Sequence, residues 1–186
     1  MADMKVKIAG VEFENPLIAA SGTFGFGREY AEFYPLSTLG GISCKGLTLK
    51  ERAGNPPPRI AETPGGMLNA VGLQNPGVDY FIEHELPWLR EQGTRIIANI
   101  AGNTPEEYCE MAEKLSDTDV DMIELNISCP NVKQGGVQFG TSCAGVEGIT
   151  SAVRGYCKKP LMVKLSPNVS DIGEIAAAAE SGGADA

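Results

Sequence analysis

The sequence has one histidine, no Cys-x-x-Cys pair and no run of lysine or arginine. A lone His84 cannot anchor a histidine-rich metal site, and no metal site is expected. Five cysteines (Cys44, Cys109, Cys129, Cys143, Cys157) make an odd number. With no apolar signal region in Met1 to Gly10, they are read as free thiols of a reducing, cytoplasmic protein. No apolar run approaches the ~20 residues that span a membrane, so no membrane partner is expected. Fifteen basic residues against 24 acidic ones give a net charge of -9, which argues against nucleic acid as a partner. There is neither a Walker loop nor a GxGxxG motif, and no short internal repeat.

What is present is an ordinary globular composition: 186 residues, 42% hydrophobic and 21% charged. That is enough for one good core and too little for two large domains, so residues 1–186 are read as a single domain. Glycine is abundant, 23 residues. Together with 12 prolines it falls at the ends of apolar runs, where tight turns or close ligand approach are needed.

Val6 to Phe13 reads as a hairpin turning at Ala9-Gly10. Apolar runs then alternate with helical patterns. Strands are expected at Pro16–Ala20, Gly41–Lys45, Thr94–Ile100, Asp121–Asn126 and Leu161–Leu165, with a sixth approached at Gly182–Ala186. Helices are expected at Arg28–Tyr34, Asp79–Gln92 (bent by Pro87), Pro105–Leu115 capped by Thr104, Gly145–Cys157 and Asp171–Glu180. Strand–helix repetition means an α/β fold with a parallel sheet. Two architectures compete: an open doubly wound sheet and a (β/α)8 TIM barrel. A whole barrel takes about 250 residues, so as a barrel the chain holds only its first five to six units. Leu47 to Val78 shows no periodicity and is read as a long irregular excursion.

Three segments carry candidate chemistry. Glu124-Leu125-Asn126-Ile127-Ser128-Cys129-Pro130-Asn131 is an apolar strand ending in polar groups, at the end of a parallel strand where sites form. Asn126 and Asn131 offer amide donors and acceptors suited to a planar ligand with carbonyl and ring N–H groups. Cys129 reads as a nucleophile, a general base or a buried small hydrophobe. Lys45 and Lys164 lie in apolar strands, where each meets an anionic or electron-accepting ligand or snorkels to the rim. Gly65 to Gly77 interleaves glycine with asparagine, a pattern for backbone approach to a ligand or for turns. Ser21 and Asn99 add small polar groups at strand ends. Cys109 and Cys157 read as packing residues.

Taken in order, Asn15–Gly22, Lys45-Gly46-Leu47-Thr48, Asn69–Asn75, Asn126-Ile127-Ser128-Cys129-Pro130-Asn131-Val132-Lys133 and Val163-Lys164-Leu165 resemble dihydroorotate dehydrogenase over nearly the whole chain. Cysteine in the Ser-Cys-Pro-Asn motif is similar to the soluble class 1 enzymes. Gly135-Gly136 with Phe139-Gly140-Thr141 resembles their NAD-linked subclass, 1B.

The resemblance implies a TIM barrel binding FMN over its strand ends and oxidising dihydroorotate to orotate in pyrimidine biosynthesis. Ser21, Lys45, Gly46, Asn99, Asn126 and Lys164 would contact FMN. Asn69, Ala70, Val71, Gly72 and Leu73, with Lys45, Asn126 and Asn131, would hold the pyrimidine. Cys129 would be the base. It further implies homo-oligomers and a partner iron–sulfur flavoprotein subunit carrying FAD and a 2Fe–2S cluster. The family's chains are longer, so the domain is expected to be C-terminally incomplete and to lack the FMN phosphate site. Two alternatives remain: another FMN-dependent pyrimidine oxidoreductase, and an inactive half-barrel that only associates with a partner.

Overall fold

The computed structural model describes residues 3–128 and 137–186, with backbone only at 137 and 138. The chain opens on a hairpin, β1 (Val6–Ile8) and β2 (Val11–Phe13), paired antiparallel with Val6 opposite Phe13. Its two-residue turn places both Ala9 (φ 48°) and Gly10 (φ 84°) in the left-handed region, as a tight hairpin requires.

Five parallel strands form the main sheet: β3 (Ile18–Ala19), β4 (Gly41–Ser43), then β7 (Arg95–Ile100), β8 (Met122–Asn126) and β9 (Leu161–Lys164). Their spatial order, β3-β4-β7-β8-β9, is their order along the chain. An open doubly wound sheet reverses its order at a switch point; no reversal occurs among these strands. The competition between architectures is settled in favour of successive units of a (β/α)8 barrel. After the helix Ile172–Ser181 the chain returns to the edge of the sheet, with Asp185 N–H donating to Leu161 O (2.8 Å) and Val163 N–H to Ala186 O (2.9 Å).

Helices α4 (Pro105–Ser116), α6 (Cys143–Arg154) and α7 (Ile172–Ser181) follow β7, β8 and β9. Each starts on a side-chain cap. Thr104 accepts from Glu107 N–H, Ser142 from Gly145 N–H, and Asp171 from Gly173 and Glu174 N–H, satisfying donors a helix start leaves open. The Ser142 cap starts α6 two residues before the position expected from the sequence. The first unit holds the short α1 (Arg28–Ala31). In the second, α2 (Val78–Tyr80) and α3 (Leu86–Arg90) are joined by a π-helical turn, Phe81–Glu85. Pro87 has no N–H to close the regular ladder, and the widened turn just before it absorbs that loss. A short helix α5 (Val137–Gly140) precedes α6.

The sequence reading missed one sheet. Within the segment expected to be irregular, β5 (Ile60–Thr63) and β6 (Gly66–Asn69) form an antiparallel hairpin with Ile60 opposite Asn69. All eight residues are exposed, so neither strand shows the alternation that a half-buried strand carries.

Side chains alternate across the main sheet. Ile42, Cys44, Ile96, Ala98, Ile100, Ile123, Leu125 and Leu161 pack outward with helix residues such as Tyr108, Met111, Val146 and Ile149. The opposite face is the barrel interior. At its lower end Phe13 from the opening hairpin packs with Ile97 and Met122, flanked by Ile18 and Met162. Gly41 is required there, because a Cβ would lie 2.9 Å from the Phe13 ring. The hairpin thus plugs the interior from below and leaves its upper end for polar groups.

Candidate functional site at the strand ends

Above the Phe13 plug, the inward positions change character. Asn99 follows Ile97 on β7; Glu124 and Asn126 follow Met122 on β8; Lys164 follows Met162 on β9. Asn126 and Lys164 are register partners. A connected polar row crosses the strand ends. The Lys164 ammonium donates to Ser21 Oγ (3.0 Å), and Asn99 Nδ2 lies 3.3 Å from the same oxygen. Asn126 Nδ2 donates to Asn99 Oδ1 (3.2 Å). Asn126 Oδ1 in turn accepts from Ser128 Oγ (2.8 Å) and Ser128 N–H (3.2 Å). Five residues, Ser21, Asn99, Asn126, Ser128 and Lys164, spread over more than 140 positions, are therefore wired together. Asn99 and Asn126 are buried, and Ser21 and Lys164 are half-buried, which suits a ligand lying on top of the row.

Gly46 lies against the same row. A Cβ there would stand 2.9 Å from Asn99 Oδ1 and 3.1 Å from Leu73 Cδ1, so glycine is needed for the loop to lie this close. Lys45, half-buried, has its N–H bonded to Gly25 O (2.9 Å).

Residues 69–73 divide. Asn69 and Ala70 are exposed on the hairpin and its exit, while Gly72 and Leu73 are buried. Leu73 packs on Ala101, immediately past β7. It does so with φ 57°, a conformation that costs a branched side chain energy and that the surroundings must hold in place. The holder is Asn75, a residue the sequence reading left without a role. Its Oδ1 accepts from the N–H groups of Thr48 (3.0 Å) and Gly77 (2.9 Å), and its Nδ2 donates to Leu73 O (2.9 Å). Asn75-Pro76-Gly77 is the turn signal that marks it.

Two further residues have roles that the sequence pattern does not assign. Tyr108 on α4 is fully buried, and its hydroxyl donates to the Asn126 carbonyl (3.0 Å) where β8 leaves the sheet. Glu124, whose signal is a carboxylate inside an apolar strand, accepts from Ser43 Oγ in the barrel interior. Cys129 and Asn131 lie outside the described residues. Cys44 faces the outer core, where burial pushes its thiol far above the ordinary range. Cys157 is buried and Cys109 half-buried, and burial raises both thiols, as expected of packing residues. Among the described residues no group of three His, Cys, Asp or Glu side chains is placed to hold a metal ion. Among the described residues no helix is long and apolar enough to cross a membrane.

The family model for dihydroorotate dehydrogenase matches residues 3–186. The chain belongs to the dihydroorotate dehydrogenase family. It is 60% identical over 186 residues to the protein named dihydroorotate dehydrogenase B (NAD(+)), catalytic subunit, of Petrotoga mobilis, covering all of this chain and 62% of that protein. Proteins of the same name match from Alkaliphilus metalliredigens (62% identity over 183 residues, 98% of this chain and 61% of that protein) and Phocaeicola vulgatus (56% over 186 residues, 100% and 61%). The chain thus spans about three-fifths of the length of these curated relatives.

Proposed function

We propose that this chain carries the strand-end site of an NAD-linked dihydroorotate dehydrogenase, which oxidises dihydroorotate to orotate in pyrimidine biosynthesis. The observation that carries the reading is the hydrogen-bonded row Lys164–Ser21–Asn99–Asn126 across the upper end of a plugged parallel barrel sheet. Its donors and its glycine cradle fit a flat, carbonyl-rich ring such as that of FMN. Ser21, Lys45, Gly46, Asn99, Asn126 and Lys164 would hold the flavin. Lys45, Asn126 and Asn131 would hold the pyrimidine with the segment Asn69–Leu73.

When bound, FMN supplies the acceptor for the hydride that leaves C6 of the substrate. The chain's own residues do the rest. The Cys129 thiolate takes the C5 proton, so proton and hydride together account for the two hydrogens removed. The Lys164 ammonium offers positive charge where negative charge gathers, most effective where water is excluded. The Asn side chains fix the pyrimidine's orientation. Leu73, wedged between Gly46 and Ala101, places the substrate segment against the same strand ends.

The relatives' name, a catalytic subunit linked to NAD(+), supports a partner subunit; we assign FAD and a 2Fe–2S cluster to that partner. Homo-oligomers, a single FMN-dependent domain and a cytoplasmic setting complete the reading.

The test is an anaerobic absorbance scan of the protein with FMN. Dihydroorotate should bleach the flavin band near ~450 nm, and dihydrouracil should not. Cys129→Ala should slow bleaching roughly 10²–10⁴-fold, the range for a lost general base. Near-normal bleaching in that variant would remove Cys129 as the base. Preference for dihydrouracil would point to another pyrimidine oxidoreductase, and failure of the chain completed to its relatives' length to take up FMN would overturn the reading altogether.

A further inference from the structure

Glu124 poses a problem that the strand-end row does not solve. It is 6% exposed on a central strand, between the apolar plug below and the polar row above. Burying a carboxylate is costly unless something compensates it. Among the described residues the other buried carboxylate, Glu85, is met by Arg28 at 2.7 Å. Glu124 is held instead by a neutral hydroxyl, that of the buried Ser43.

The ladder places positive charge overhead. Glu124 is the register partner of Met162, and Lys164 is the next inward residue on β9. Asn126 stands two residues above Glu124, about 7 Å of strand rise. The carboxylate therefore lies one side-chain layer under the row that carries Lys164. Its charge is also felt on the other face of the sheet, where it adds to burial in raising the Cys44 thiol.

We propose that Glu124, fixed by Ser43 beneath the strand-end row, is an electrostatic positioning residue that offsets the lysine charge above it and so limits how strongly the site favours a negatively charged ring. This rests on the reading of the row as a flavin site. The lysine charge favours reduced over oxidised flavin, because reduction places negative charge on the ring. A carboxylate below the ring opposes that preference, keeping the bound flavin more strongly reducing and lowering the affinity for anionic orotate.

The size of the effect follows from distance. A unit charge about 10 Å away at an effective dielectric near 20 changes a binding ratio by roughly tenfold. The experiment measures the ratio of affinities for reduced and oxidised FMN, read as the midpoint potential of the bound flavin against a dye. It is paired with thermal melting of the flavin-free chain. Glu124→Gln should raise the ratio about tenfold in favour of reduced FMN while the flavin-free chain still melts cooperatively. Glu124→Met should do the same, and Glu124→Asp, which keeps the charge, should stay within about threefold of the wild type.

Bound flavin with an unchanged ratio in Glu124→Gln overturns the proposal. Loss of the flavin-free fold in both neutral variants also overturns it, by assigning the carboxylate to stability. A wild-type protein completed to its relatives' length that binds no FMN overturns the reading of the site, and this inference with it.

Discussion

Ile123, Leu125 and Leu161 on one face of the main sheet alternate with Glu124, Asn126 and Lys164 on the other, along the same two strands. The outward set is buried against helices. Its stability comes from apolar area removed from water. The inward set is hydrogen-bonded rather than packed, and it sits above an apolar plug that closes the other end of the interior. A parallel sheet normally reads as continuous apolar strands because both faces are covered. Here the upper inner positions depart from that rule, and polar groups satisfied mainly by one another stand where aliphatic ones would stabilise the fold more. Residues that break the packing rule together, at one end of one face, mark the site.

That contrast is tested most forcefully by removing one residue from each face. Leu125→Ala, on the outer face, should destabilise the chain by about 2–5 kcal/mol, the usual cost of such a cavity. Denaturant midpoints would register it. Asn126→Ala, one residue away on the inner face, should cost only about 1–2 kcal/mol by the same measurement, since the surviving partners regain water. On the proposed reading of the row it should weaken flavin binding about tenfold or more, as followed by flavin fluorescence, because a preorganised amide is lost. Equal stability losses at the two positions would erase the distinction between the faces.

A pH test also separates the faces. Burial raises the Cys44 thiol above its ordinary 9.0, with the Glu124 and Glu85 charges adding to the shift. Above about pH 9 the unfolded chain releases this proton while the folded chain keeps it. Stability is therefore fully present below that pH and falls as pH rises, by up to about 1.4 kcal/mol per pH unit. Denaturant midpoints between pH 8 and 10 should show the slope, and Cys44→Ala should reduce it whatever it costs at neutral pH, the raised Cys109 and Cys157 thiols supplying the rest. The smallest effect is expected at an exposed helix start. Thr104→Ala, which removes the cap of α4, should cost about 1 kcal/mol and leave flavin binding unchanged.

Much of this contrast was legible beforehand. The five strands, the opening hairpin and the capped helices follow from local signals: apolar runs ended by glycine and proline, Ala9-Gly10 at a tight turn, and Thr104 and Asp171 ahead of helical patterns. Ser21, Asn99, Asn126 and Lys164 stood out because polar residues end apolar strands there. The hairpin of Ile60–Asn69 did not stand out, since both its faces are exposed. Glu124 and Asn75 fall in segments that the sequence marks for candidate chemistry but carry no role of their own there, and Tyr108 falls in none; the partners Ser43, Thr48 and the Asn126 carbonyl lie 81, 27 and 18 positions away.

By itself the amino-acid order determined the alternation of strands and helices, the polar ends of the strands and the family resemblance. These depend on neighbours along the chain and on side-chain chemistry. Only the tertiary structure decided that the strands keep their sequential order, that Phe13 closes the lower end of the interior, and that Lys164 meets Ser21 across 143 positions. Such facts rest on strand pairing and burial between distant segments, which no local pattern encodes.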